Sequence, residues 1–136
     1  MPALILDTTP LAEQISCAAG KVFSTFPPAQ RPVLAVVSVD PSPASLVYLR
    51  QQEKKSKTLG VEFEHHPVVS PDPARLPALL SAKLEALHRD PRVTGILLQS
   101  PLPPPLAAAD FTPGIDPAKD VEGISPRRLG EIFRPS

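Results

Sequence analysis

Apolar residues change their spacing along this chain in a regular order. Leu11, Ile15, Ala18, Ala19, Val22 and Phe26 recur at helical intervals. Thr8-Thr9-Pro10 ahead of them offers a cap and an early helical proline, and Pro27-Pro28 closes the element. Val33 to Val39 is a nearly unbroken apolar run rich in β-branched residues. That is the pattern of a strand buried on both faces, as in a parallel sheet. Asp40-Pro41-Ser42-Pro43 reads as a turn, and a helix is expected from about Ser42 to Leu59 with Gly60 as its stop. Val61 to His66 alternates and predicts a second strand. Leu76, Leu79, Leu80, Leu84 and Leu87 predict a third helix that ends near Arg89-Asp90-Pro91. Val93 to Leu98 predicts a third strand, and Ser125 to Phe133 a last short helix.

Helices and strands thus alternate, which implies right-handed crossovers and a parallel sheet between helix layers. The expected fold is three-layer α/β/α with a mainly parallel sheet of about four strands. The length of 136 residues suits one domain over residues 1–136. After Gln99 the chain turns proline-rich, Ser100-Pro101-Leu102-Pro103-Pro104-Pro105. A rigid loop there leaves the carboxyl end of a strand, which is where open α/β sheets bind ligands.

Composition narrows the function classes. Lys plus Arg and Asp plus Glu each number 14, so the formal net charge is zero and neither a nucleic-acid surface nor an acidic tail is indicated. The single cysteine, Cys17, excludes an internal disulfide and fits a reducing compartment. The opening residues lack a basic segment before their apolar run, so no signal peptide is expected. No apolar stretch is long enough for a membrane span. A cytoplasmic soluble protein is the expectation. The 20 prolines fall between the periodic segments and punctuate a folded chain.

Two places can carry chemistry. Tyr48 and Gln52 are one helical turn apart on the second helix, with Lys55 on the same side. The ordinary reading of that face is solvated lysines beside a half-buried tyrosine. The second place pairs the loop after Gln99 with Asp116-Pro117-Ala118-Lys119-Asp120-Val121-Glu122-Gly123. A buried Gln99 amide would need partners, and Asp120 and Glu122 could point into a pocket. The ordinary reading there is a turn-forming, helix-capping loop, and spacing alone does not separate the two. Glycines at 20, 60, 95, 114, 123 and 130 form neither a dinucleotide fingerprint nor a phosphate loop. His65 and His66 are strand neighbours facing opposite ways, His88 sits at a helix end, and none has metal-ligand spacing. Cys17 within a helix reads as a core residue rather than a nucleophile.

Taken together, three ordered segments resemble the methylenetetrahydrofolate dehydrogenase/cyclohydrolase family. They are Pro43-Ala44-Ser45-Leu46-Val47-Tyr48 with its basic helix and Leu59-Gly60-Val61, Gly95-Ile96-Leu97-Leu98-Gln99-Ser100-Pro101-Leu102-Pro103, and Ile115 to Gly123. Ile5-Leu6-Asp7 and Leu129-Gly130 fit its start and domain end more loosely. The resemblance spans this chain but only the first half of a typical member. It implies a folate-binding domain, a tetrahydrofolate derivative as ligand, and NADP bound by a Rossmann domain that this sequence does not supply.

The resemblance also implies site roles. Tyr48 matches a tyrosine on the pterin side of the substrate, and Gln99 a glutamine that hydrogen-bonds the main acid/base lysine. That lysine position holds Gln52, and the aspartate that anchors the pterin is Glu122. Leu98 and Ser100 flank Gln99 as further substrate contacts, and Ser100 replaces a usual apolar residue. A glutamine amide neither ionises near neutrality nor shuttles a proton as lysine does. Glu122 keeps the charge but adds a methylene, and a misplacement of about 1 Å costs on the order of 100-fold. Three functions follow as expectations. The first is a folate-binding domain with little catalysis of its own. The second is an enzyme half completed by a separate or downstream NAD(P)-binding domain, with Lys55 reaching into the cleft. The third is a non-enzymatic remnant that binds a partner or a second copy of itself through exposed apolar surface.

Overall fold

A computed structural model describes residues 7–107 and 111–133; Ile5 and Leu6 of the opening segment lie outside them. Helix α1 runs Thr9–Phe23, β1 Val33–Val39, α2 Pro43–Leu59, β2 Glu62–Val68, α3 Leu76–Arg89 and β3 Val93–Leu98. A single turn, α4 (Pro104–Ala107), and a short helix, α5 (Pro126–Ile132), follow. The stops come from local chemistry. Ser42 caps α2 by accepting from the Ser45 amide, and Gly60 ends it in the left-handed region at φ 77°. Helix α1 ends at Phe23 rather than Phe26, because the Ser24 and Thr25 hydroxyls bind the carbonyls of Lys21 and Val22.

The sheet has the order β2-β1-β3 with both pairs parallel, and β1 aligns Val33 with Glu62 and Val39 with Val68. That pairing carries β2 two residues beyond the alternating stretch Val61–His66. Three strands form among the described residues, not about four. Prolines at 101, 103, 104 and 105 cannot donate to a ladder. The later segment meets β3 only at one bridge, Ile96 with Asp120.

The two faces of the sheet are filled unequally. On one, Leu76, Leu80, Leu84 and Leu87 of α3 pack on Ala35, Val37, Val39, Ile96 and Leu98 as one buried cluster. On the other, α2 lies against β2 and α1 against α2. Gly20 of α1 has the Leu59 side chain in van der Waals reach. The apolar stripe that predicts α1 does not enter the core: Leu11, Ile15 and Val22 are each 58–60% exposed. Cys17, expected in the core, is exposed for the same reason. No described helix is long and apolar enough to cross a membrane.

Candidate functional site

Three elements converge beside the β3 edge. At the carboxyl end of β3, Gln99 is 8% exposed and its Nε2 donates to the Ser45 carbonyl in the first turn of α2 at 3.3 Å. The Gln99 backbone amide donates to the Val37 carbonyl at 2.8 Å, which holds the residue to the sheet. The amide of a strand-terminal glutamine thus finds a partner on the helix that carries Tyr48 and Gln52. Its Oε1 is buried with no partner among the described residues, and so is the Oε1 of Gln52. A buried acceptor without a donor carries a desolvation penalty of about 1–3 kcal/mol, which a ligand N–H or O–H relieves.

The third element is the 115–125 segment. The Lys119 carbonyl accepts from the Ile96 amide at 2.7 Å, and the Lys119 ammonium donates to the carbonyls of Leu87, His88 and Asp90 at 3.1, 2.8 and 2.7 Å. One lysine thus closes the C-terminus of α3 and ties it to β3. The Asp120 carboxylate accepts from the backbone amides of Glu122, Gly123 and Ser125. Burial pushes this carboxyl up, but the hydrogen bonds from Ser125, Ile124 and Gly123 outweigh it and hold it below its usual range. Burial, and then the neighbouring Asp120 charge, push the Glu122 carboxyl the other way, above its usual range.

Gln52, Lys55, Ser56 and Leu59 of α2 face Leu34, Thr94, Gly95 and Val121 across a mainly apolar cleft of about 510 Å³. Gly95 is what lets the loop lie there, since a Cβ on it would stand 2.6 Å from the Val121 side chain. The structure therefore brings Gln52 and Val121 to one cleft and Lys55 lines the same wall, while Tyr48, Gln99, Ser100 and Glu122 are not among its lining residues. Tyr48 lies one turn up α2 and is 59% exposed. Ser100 is exposed beside the cis Ser100–Pro101 bond. Leu98 is 4% exposed, and its side chain points into the α3 core rather than toward this edge.

Sequence reasoning offered a turn-forming, helix-capping loop here, which Lys119 and Asp120 build, but it singled out neither residue for that role. Both depend on backbone groups brought near by folding. A second hollow of about 480 Å³ lies between α3 and residues 111–117, with His88 Nδ1 3.4 Å from Asp116 Oδ2. Among the described residues no group of three or more His, Cys, Asp or Glu forms a metal-ligand set.

Known proteins share this sequence and this fold. The bifunctional protein FolD of Synechococcus sp. (strain RCC307) is 40% identical over 136 residues, covering 98% of this chain and 46% of that protein. The bifunctional protein FolD of Nitrobacter hamburgensis is 44% identical over 102 residues, 74% of this chain and 33% of its own. The chain thus spans less than half the length of these relatives. Among solved structures, a 5,10-methylenetetrahydrofolate dehydrogenase from the silkworm Bombyx mori superposes with a TM-score of 0.81 at 25% identity, covering 96% of this chain and 45% of that one. The FolD methylenetetrahydrofolate dehydrogenase/cyclohydrolase of Campylobacter jejuni gives 0.77 at 25% identity, over 93% and 44%. Residues 6–122 match the description "Tetrahydrofolate dehydrogenase/cyclohydrolase, catalytic domain", so the chain belongs to that family.

Proposed function

We propose that this chain binds a reduced folate at the β3 edge, with Tyr48, Gln52, Gln99 and Glu122 as its polar contacts, and that its own turnover is weak or absent. The observation that carries the reading is the pair of buried, unpartnered Oε1 atoms of Gln52 and Gln99 on the two elements that bound this edge. A reduced pterin offers ring N–H groups to such acceptors and an aromatic face to Tyr48. Glu122, at the turn beyond Val121, supplies the carboxylate for the remaining donors. Ser100 adds an exposed hydroxyl, and Leu98 acts only by fixing the backbone of Gln99.

Proton transfer is where the site falls short. Hydrolysis of a bridged one-carbon unit needs a group that gives and takes a proton near neutral pH, and the Gln52 amide does neither. Lys55 shares the cleft wall and is the nearest replacement on α2, one turn further along. The described turns do not fit a dinucleotide either. The β1–α2 connection, Asp40-Pro41-Ser42-Pro43, has prolines where a pyrophosphate needs backbone N–H groups. Hydride transfer would accordingly draw on a separate nicotinamide-binding unit.

Titration calorimetry with tetrahydrofolate and its 5,10-bridged derivatives tests the reading. Micromolar to sub-millimolar binding is expected, and no heat at millimolar ligand would refute it. A cyclohydrolase assay then separates binding from turnover. Gln52→Lys should raise the rate above wild type by at least tenfold, the order of a positioned acid/base group's contribution or less. Loss of residual activity in Lys55→Ala would instead assign the proton transfer to Lys55.

A further inference from the structure

We infer that Asp120 is a positioning residue: its carboxylate fixes the Val121–Gly123 turn and so sets where Glu122 projects from the loop whose Val121 lines the cleft. The inference takes its ligand from the folate reading above, but its geometry from the loop itself. Asp120 Oδ1 accepts from Glu122 N at 3.2 Å and Gly123 N at 2.9 Å, and Oδ2 accepts from Ser125 N at 2.7 Å. Three amides within five residues of Asp120 close around one anion, an internal version of the backbone nests that bind free anions. Gly123 takes φ 69°, the left-handed region that turns its amide inward, and a Cβ there would meet nothing within 4 Å.

The ends of the segment are fixed as well. Lys119 is held to β3 and α3, Ser125 is 1% exposed, and Val121 rests over Gly95. Among the described residues no side chain pairs with the Glu122 carboxylate, so its position is inherited from the backbone. Asp120 is therefore the group that fixes the backbone from which Glu122 projects. It also stands close enough to raise the Glu122 carboxyl, as a neighbouring negative charge does.

Asp120→Asn is the sharp perturbation. It keeps size and one acceptor but sets an N–H₂ against amides that are themselves donors. In the unliganded protein, hydrogen exchange at the amides of Glu122, Gly123 and Ser125 should quicken at least tenfold. The Glu122 carboxyl, followed by carbon NMR, should titrate closer to its ordinary 4.5. Unchanged exchange and titration would overturn the inference with no ligand involved.

Binding of tetrahydrofolate is then measured in a double-mutant cycle. Asp120→Asn and Glu122→Gln should each weaken it about tenfold, and Asp120→Asn should change it less than about twofold in the Glu122→Gln background. Equal losses in both backgrounds mean that Asp120 supports the fold generally, and they overturn the inference. A wild type that binds no tetrahydrofolate refutes the folate reading, while exchange and titration still judge the positioning. Should Asp120→Asn not fold, Gly123→Ala strains the same turn without touching the carboxylate and takes its place in the exchange measurement and the binding cycle.

Discussion

Gly95→Ala joins the fold to the site in one substitution. A Cβ at 95 would lie 2.6 Å from Val121 Cγ1, and ordinary contact begins at 3.4 Å, so Val121 must retreat by 3.4 − 2.6 = 0.8 Å. Val121 is 53% exposed and moves outward with little resistance. Overpacking therefore costs near the low end, about 1 kcal/mol. Loss of a glycine from the unfolded chain returns about 0.4–1 kcal/mol. The two nearly cancel, and the melting temperature should move by no more than about 4 °C. Binding should not be spared, because Glu122 follows Val121 in the chain and shifts with it. A displacement near 1 Å forfeits most of what a binding group contributes, so a Kd for tetrahydrofolate weaker by about tenfold is expected, the loss set for Glu122→Gln. Adding Val121→Ala removes the clashing methyls and should restore Kd to within about threefold of the Val121→Ala single variant. Calorimetry with parallel thermal denaturation reads both quantities. Wild-type affinity in Gly95→Ala, or no recovery in the double variant, would refute the link between strand and loop.

Two further outcomes concern stability. Lys119→Met keeps the stem but removes three charge-assisted bonds to the carbonyls of Leu87, His88 and Asp90; urea unfolding should show a loss of about 2–3 kcal/mol, and a loss under 0.5 would mean solvent replaces the clamp freely. His65, whose Nε2 lies 2.8 Å from Ser38 Oγ, is held below its ordinary 6.5 by burial and then by His66, against the pull of Glu53. The unfolded chain therefore binds a proton first: stability should be full above about pH 6.5, fall as pH drops below that value, and level off under the folded value. His65→Ala should flatten that part of the profile relative to wild type, and an identical pH slope in both proteins would refute the assignment.

Much of the fold is legible in the sequence because its signals are local. The α3 leucines recur at helical spacing and all but Leu79 are buried as that spacing demands. Ser42 and Gly60 mark the ends of α2 through their own capping chemistry. The α1 stripe shows the limit of such signals: periodicity predicts the helix but not the face that packs. The face of α1 that carries Gly20 lies within van der Waals reach of Leu59, and that contact depends on where α2 stands. Strand number failed for a related reason. Whether residues 118–121 join β3 depends on hydrogen bonds to a distant edge, and only the Ile96–Asp120 bridge forms.

The candidate site divides along the same line. By itself the sequence determined which side chains are on offer: a phenol at 48, an amide where resemblance implies a lysine at 52, an amide at 99 and a carboxylate at 122. It therefore also determined that residue 52 cannot move a proton, which is a matter of functional group and not of placement. Only the tertiary structure decided that Leu98 turns into the core while Gln99 reaches Ser45, and that Asp120 spends its carboxylate on its own loop. Those outcomes depend on backbone donors and acceptors up to 54 residues away in the chain. No spacing rule within one segment reports a partner supplied by another.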